Sequence, residues 1–440
     1  MQLSYKYICR VAFPVLMSLL VEYLIGLTDT AYLGRVGEVE LGASALAGIY
    51  YLTIYMIGFG FSIGAQVLIA HYNGEKAYKK IGDVFTQGVL FLVGTAALLF
   101  LLSHLCSPWI LRQLIGSEEV YRATMSYLDW RSYGFFFSFV IVMFRAFYVG
   151  TTNTKILTAN SIVMVLANVV LNYILIFGKL GMPALGIAGA AIASSISEAI
   201  SVLFFIIYTR LKVDYKKYGL FEKYRVDKKI LKHVLGVSVW VMIQQGVVYV
   251  GWFVFFVTLE HLGERPLAIT NIIRSISAFL FMFVQAFAST NSSLVGNLIG
   301  AGEAAQVIPL CRKVTWVCYG VLFPVIILIA LFPSAVLRIY TDNPGLITAS
   351  VPALWVMLSS YLFAVPAFVL YCAVLGTGNT RSSFAIVSFV LVIYVAYILW
   401  MADVLPEVAW LWTADHVYYL GLILLAGYYM LRCNWRLKQL

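Results

Sequence analysis

Charged residues are scarce in this sequence. Asp, Glu, Lys and Arg make up 11% of its 440 residues, whereas 62% are hydrophobic. A soluble domain of this length carries roughly twice that charge, so an aqueous globular protein is excluded. Paired cysteines are missing as well. Cys9, Cys106, Cys311, Cys318, Cys372 and Cys433 are scattered without a CxxC, which argues against a disulfide framework or a zinc site. The five histidines fall at the ends of apolar stretches, without metal-ligand spacing. There is no GxxxxGK[ST], no HExxH and no GxSxG, so neither a nucleotide-hydrolysing loop nor a familiar hydrolase centre is encoded. The apolar–polar alternation of membrane barrel strands is also absent.

What remains is a series of long apolar stretches. A helix crossing the bilayer needs about 20 mostly apolar residues, and twelve such stretches occur. They begin with 9–34 and 41–71, continue through 127–149 as the fourth and 233–259 as the seventh, and end with 416–433. The expected fold is an all-α polytopic membrane protein with twelve transmembrane helices. The first stretch exceeds 20 residues and contains Glu22 and Asp29, so it reads as a span rather than a cleavable signal. The net charge of +10 does not indicate a nucleic-acid partner, because most of the 30 Lys and Arg fall in segments on one side of the membrane. Nine of them lie in "RLKVDYKKYGLFEKYRVDKKILK". Positive loops stay inside, which predicts a plasma (inner) membrane protein with both termini cytoplasmic.

The sequence repeats itself. "GEVEL" at 37–41 returns as "GERPL" at 263–267, and "GTTNTK" at 150–155 as "GTGNTR" at 376–381, both displaced by 226 residues. "NGEKA" at 73–77 returns as "AGEAA" at 301–305, displaced by 228. Three matches in the same order predict a six-helix lobe over 1–211, a basic cytoplasmic linker over 212–232 and a second six-helix lobe over 233–440. Six spans is an even number, so both halves enter the membrane the same way up. That is the parallel-repeat arrangement, with two pseudo-symmetric lobes around a central cavity.

Ionisable groups within spans are expensive in lipid and point to function. Glu22, Asp29 and Glu198 lie within spans of the first half, whereas Glu260, Glu264, Glu303, Asp342, Asp403, Glu407 and Asp415 lie in or beside loops. Any ion-coupling carboxylate is therefore expected in the first half. Glu22 and Asp29 are two helical turns apart on one face; Glu22 is read as cavity-facing, and Asp29 either faces the cavity or is a solvated interfacial acid. Asn168 and Asn172 also share a face. Their amide oxygens suit a hard cation, and their amides equally suit interhelical hydrogen bonding. Ser194 and Glu198 follow one turn apart after a run of small residues. Gln66, Gln244, Gln245, Asn271, Arg274 and Gln285 either line a polar cavity or bridge helices. Arg145 is expected to snorkel to the cytoplasmic interface.

The opening stretch "AFPVLMSLLVEYLIGLTDTAYLGRVGEVELGASALAG", with Pro14, Asp29, Thr30 and Gly34, resembles the start of the multidrug and toxic compound extrusion (MATE) family. "RAFYVGTTNTK", "NVVLNYILIFG" and "PALGIAGAAIAS" resemble further segments of it. The resemblance implies a V of two lobes and cation-driven export, with H+ or Na+ as coupling ion and no cofactor. By position it places the first-lobe cation site on Asp29, Asn168 and Asn172 with Ser194 nearby; the first three would be the ligands of a sodium ion. Many members carry an acid where this chain has Asn172, and Glu198 is the residue available to restore that charge. The membrane carboxylates of NorM-type members in the seventh and tenth spans are missing, which places the chain nearer the DinF-type branch. The implied partners are amphipathic, mostly cationic organic compounds, a monovalent cation and the lipid bilayer, with a monomer as the working unit. Two other functions were weighed. A lipid-linked oligosaccharide flippase would be expected to line its cavity with several basic residues, and a non-transport scaffold or membrane enzyme lacks a constellation to support it.

The topology is open to direct test. A single cysteine in the C-terminal tail should resist an impermeant thiol reagent in intact cells and react after permeabilisation. Labelling in intact cells would reverse the orientation.

Overall fold

Inside a bilayer every backbone N–H and C=O must be bonded within the chain, and helices meet that demand segment by segment. The computed structural model describes residues 4–222, 226–433 and 435, and no strand occurs among the described residues. Residues 223–225 of the expected linker and the outermost terminal residues lie outside them. Among the described residues eleven helices are long and apolar enough to cross a membrane, or twelve if one bent pair counts as a single span. The all-α polytopic expectation holds.

The chain forms two compact units, Met17–Met242 and Met1–Leu16 with Ile243–Leu440. Their boundaries fall inside two helices, α1 (Tyr5–Leu33) and α9 (Lys228–His261). The Met17–Met242 unit also holds α2 (Glu38–Gly74), α3 (Tyr78–Leu114), α4 (Glu118–Arg131), α5 (Gly134–Gly150), α6 (Lys155–Phe177), α7 (Gly186–Lys212) and α8 (Tyr215–Tyr218). Stacked rings fill its core, with Phe144 against Phe205 at 5.1 Å and Phe61 against Phe91 at 4.8 Å. Helices α6 and α7 approach closely because of the small-residue run that opens α7. A Cβ on Gly189 would lie 2.6 Å from the Leu175 carbonyl oxygen, and Ala190, Ala191 and Ala193 are almost fully buried.

The other unit holds α10 (Glu264–Gly300), α11 (Val307–Leu331), α12 (Pro333–Leu337), α13 (Pro344–Gly376), α14 (Thr380–Val404), α15 (Val408–Leu411) and α16 (Ala414–Arg432). Helix α13 is its hub, packing against α10, α11 and α16. Trp412, Tyr361, Phe255 and Phe287 are the largest side chains sealed in its interior among the described residues.

The fourth span differs from the expected continuous 127–149. It starts at Glu118 and bends by 53° between α4 and α5. The break falls at Ser132–Tyr133, just before Gly134. A Cβ on Gly134 would strike the Arg131 guanidinium and lie 2.6 Å from Glu198 Oε2. The bend is thus where a buried ion pair passes over the backbone.

The repeat is written into backbone geometry. Helices α2 and α10 are each 37 residues long, start at Glu38 and Glu264, and end at Gly74 and Gly300. Helices α5 and α13 end at Gly150 and Gly376. Each of these pairs is separated by the 226 residues of the first two motif matches. The third match is corrected by the structure, because aligning "NGEKA" with "AGEAA" puts the turn two residues out of register. At 226, Lys76 (φ 61°) faces Gly302 (φ 75°), and the turn hydrogen bonds coincide: Ala77 N–H to Tyr72 O at 2.9 Å, Glu303 N–H to Leu298 O at 2.8 Å. In the other turn Thr152 (φ 61°) corresponds to Gly378 (φ 81°).

Left-handed backbone disfavours a residue with a Cβ by about 1–2 kcal/mol. Thr152→Gly should therefore raise the thermal unfolding midpoint of the detergent-solubilised protein, and Gly378→Ala should lower it. A fall with Thr152→Gly would show that the threonine side chain outweighs the strain.

Candidate functional site

Helix α6 presents Asn160, Ser161, Asn168 and Asn172 on the side that meets α1 and α7, and each finds a partner there. Asn160 and Ser201 exchange hydrogen bonds at 2.8 and 3.1 Å. Ser161 donates to Glu22 Oε1 at 3.1 Å, and Ser18 donates to the same oxygen at 2.8 Å. The Arg145 guanidinium lies 3.6 Å from Glu22 Oε2, with its side chain largely buried. Arg145 therefore does not snorkel, because an in-span carboxylate lies within its reach.

Two turns along α1 the seam closes into a ring around Asp29. Asn172 Nδ2 donates to Asp29 Oδ1 at 2.5 Å and to Asn168 Oδ1 at 2.9 Å. Asn168 Nδ2 donates to Ser194 Oγ at 3.2 Å, and Ser194 Oγ donates to Asp29 Oδ2 at 3.3 Å. Both asparagines have no solvent exposure, while Asp29 is half-buried. The structure thus brings together Asp29, Asn168, Asn172 and Ser194. One acceptor is left over: Asn172 Oδ1 is buried and accepts no hydrogen bond. Buried polar atoms are normally paired, so an unshared carbonyl oxygen beside a carboxylate stands out. The donor set is all oxygen, as hard cations require.

Glu198 does not join this ring. Arg131 Nη1 donates to its Oε2 at 2.9 Å and Nη2 to its Oε1 at 2.6 Å, in the two-pronged geometry that suits arginine. The guanidinium carbon sits 3.7 Å from the Tyr51 ring centroid, and the Tyr51 hydroxyl donates to Glu198 Oε1 at 3.2 Å. Tyr51 itself stacks on Phe135 at 5.0 Å. Glu198 therefore neutralises Arg131 and adds no charge at Asn172. The Arg131 charge still acts electrostatically on Asp29. Arg131 and Tyr51 were missed in the sequence, where the one usable signal was an arginine next to an apolar aromatic stretch.

The other candidate residues are dispersed. Gln66 is buried in α2, and Gln245 and Gln285 are half-buried on α9 and α10. Asn271 and Arg274 are exposed on α10, with the Arg274 guanidinium 5.4 Å from the Phe256 ring. Gln244 is tied between helices. It is 3% exposed and bridges α9 to α13 and α14 through Tyr371 and Ser383. The second half also holds a buried acid that its loop-side position concealed. Asp415, in the first turn of α16, is 7% exposed, and its charge reaches the phenols of Tyr361, Tyr394, Tyr418 and Tyr419. Among the described residues no group of three or more His, Cys, Asp or Glu is placed to hold a metal.

Comparison with known proteins gives this geometry a family. The MatE family model matches twice, over residues 14–174 and 241–398. The probable multidrug resistance protein NorM of Idiomarina loihiensis is 25% identical over 302 residues, 68% of this chain and 65% of that protein, just under two thirds of its length. Its namesake from Thermotoga maritima is 26% identical over 380 residues, covering 85% of this chain and 80% of the relative. Among solved structures, an outward-facing multidrug resistance MATE family transporter of the MOP superfamily aligns with a TM-score of 0.86 at 17% identity, over 96% of this chain and 94% of that one. A eukaryotic MATE transporter aligns at 0.81 and 17% identity, over 98% and 96%. The two family matches take in most of the chain, one in each half, and the chain belongs to the MatE family of multi-pass membrane transporters.

Proposed function

We propose that this protein exports amphipathic organic compounds, mainly cations, in exchange for a monovalent cation bound at Asp29. The observation that carries this reading is the unshared Asn172 Oδ1 beside the Asp29 carboxylate. A sodium ion would take Asp29, Asn168 and Asn172 as ligands; a proton would go to the carboxylate itself. Either ion drives alternating access only by binding the inward- and outward-open states with different affinity. Glu22 and Gln66 in the Met17–Met242 unit, and Gln245, Asn271, Arg274 and Gln285 in the other, are the residues proposed to contact substrate.

In its ion site the chain is nearer the DinF-type branch, although the named relatives are NorM-type. Helix α13 carries no carboxylate, and α9 has only Glu260, in its last turn. The setting proposed is the plasma membrane, with both termini cytoplasmic. The flippase reading is disfavoured because Arg131 and Arg145 are each committed to a glutamate, which leaves little basic lining for a pyrophosphate.

Proteoliposomes with imposed H+ or Na+ gradients and a fluorescent dye test the coupling. Asp29→Asn should abolish gradient-driven dye movement. Asn172→Ala should slow it several-fold, because water replaces one ligand, and Asp415→Asn should leave it running. Full activity of well-inserted Asp29→Asn would remove the coupling assignment, and loss with Asp415→Asn would move it to the other unit.

The ion pair yields a separate expectation. Leaving Arg131 unpaired in a buried site costs about 3–5 kcal/mol and makes it a counter-ion for Asp29. Glu198→Gln should therefore both destabilise the protein and block coupling. The apolar pair Arg131→Met with Glu198→Leu should recover stability, and with it part of the transport. A double variant no better than Glu198→Gln in either assay would give the pair a role beyond charge balance.

A further inference from the structure

The turn between α2 and α3 carries lysines that the transport reading does not use. Lys76, Lys79 and Lys80 join Lys217 of α8 around a wide-open surface cavity of about 320 Å³, with Tyr78 and Ala77 in its wall. The two segments are distant in sequence but firmly fixed. Tyr218 packs edge-on against Tyr78 at 5.6 Å and against Phe147 at 5.3 Å. Gly82 lies so close to the Tyr218 carbonyl that a Cβ would clash. The Lys217 ammonium is 3.8 Å from the Tyr78 ring centroid, and that of Lys80 is 4.9 Å from Tyr72. Glu75 approaches Lys80 at 3.9 Å, and Asp214 accepts from the Lys217 backbone N–H. The first turn of α3 holds no acid. Lysines there repel one another and oppose the positive end of the helix dipole, a combination that an anion relieves.

The internal repeat supplies an independent observation. The second half makes the same turn with Gly302, followed by Glu303, Ala304, Ala305 and Gln306, and without a lysine. The first half keeps Lys76 in left-handed backbone where its counterpart is glycine. Strained backbone tends to persist where the side chain has a task.

We propose that this cavity binds the phosphate headgroup of an anionic phospholipid. The turn lies where two spans leave the membrane, and Tyr72, Tyr78 and Tyr218 among the lysines have the composition of an interfacial belt. Basic pockets at that depth meet the anionic lipids of the cytoplasmic leaflet, which favours a lipid over a soluble anion. The inference needs a membrane protein, not an exporter; only the choice of leaflet rests on the proposed orientation.

The test uses the full chain in phosphatidylcholine nanodiscs titrated with phosphatidylglycerol, with retained lipid counted by native mass spectrometry. The unaltered protein should retain phosphatidylglycerol selectively. Lys79→Gln and Lys217→Gln should each weaken retention about five-fold. Lys76→Gly should weaken it similarly while raising the thermal midpoint in neutral lipid, a pair of effects that misfolding does not produce. Lys313→Gln, in the other unit, should change nothing. Unchanged retention in all three pocket variants, or equal loss with Lys313→Gln, overturns the site. Displacement by inorganic phosphate as effective as by phosphatidylglycerol overturns the lipid and leaves a soluble-anion site.

Discussion

The intolerance of lipid for an unpaired polar group governs this structure. Water is not available to finish a hydrogen bond in the hydrocarbon layer, so a polar side chain in a span must be met by another. In the Met17–Met242 unit that demand is answered by one seam. Helix α6 supplies the amides and the Ser161 hydroxyl, α1 the carboxylates and α7 the Ser194 hydroxyl, while Gly189 and its small neighbours bring α7 close enough for the bonds to form. Packing and chemistry are the same contact here, since a bulkier α7 would pull Ser194 away from Asp29.

Charge balance follows from that seam. Three ionisable groups lie near the Asp29 end of that seam: Asp29, Arg131 and Glu198. Arg131 and Glu198 satisfy each other in a bidentate pair, with Tyr51 covering the guanidinium face. Asp29 is hydrogen-bonded to neutral partners only, and Arg131 acts on it through space without a hydrogen bond. A carboxylate bonded to amides and a hydroxyl has no directly bonded counter-ion, and under the proposed coupling a mobile cation would take that place. Glu198 therefore serves the proposed site indirectly, by occupying the arginine that would otherwise fill it.

Much of this was legible in the sequence, for physical reasons. Spans follow from apolar length, and Asn168 with Asn172 follows from helical spacing. The repeat follows from turn motifs that share their helix-ending glycines, Gly150 and Gly376, although the left-handed positions beside them differ, Thr152 against Gly378. What the sequence withheld was partner choice. Glu198 is one turn from Ser194, but whether it faces Asp29 or Arg131 depends on the bend at Ser132–Tyr133, which no local pattern announces. Asp415 was hidden for a related reason: it lies beside a loop in sequence, yet the tyrosines that enclose it come from α13, α14 and α16.

The two halves share a frame and divide its chemistry. At the displacement of 226 residues that the turns obey, Asp29 corresponds to Phe255 and Asn168 to Tyr394. In the second half those positions also meet, with ring centroids 6.4 Å apart, and Trp412 packs edge-on against Phe255 at 5.6 Å. The same helix contact is a polar ring in one half and an aromatic cluster in the other. An aromatic contact is satisfied in itself and has no protonation or ion occupancy to respond to. The Asp29 ring has an unshared acceptor and a carboxylate with no bonded cation, so under the proposed coupling its energy would depend on what is bound. An ion bound at Asp29 would therefore change the α1–α6–α7 contact in one half while the equivalent contact in the other stays as it is. If the proposed coupling holds, a duplicated frame with ion sensitivity in one half would supply the unequal response that it requires.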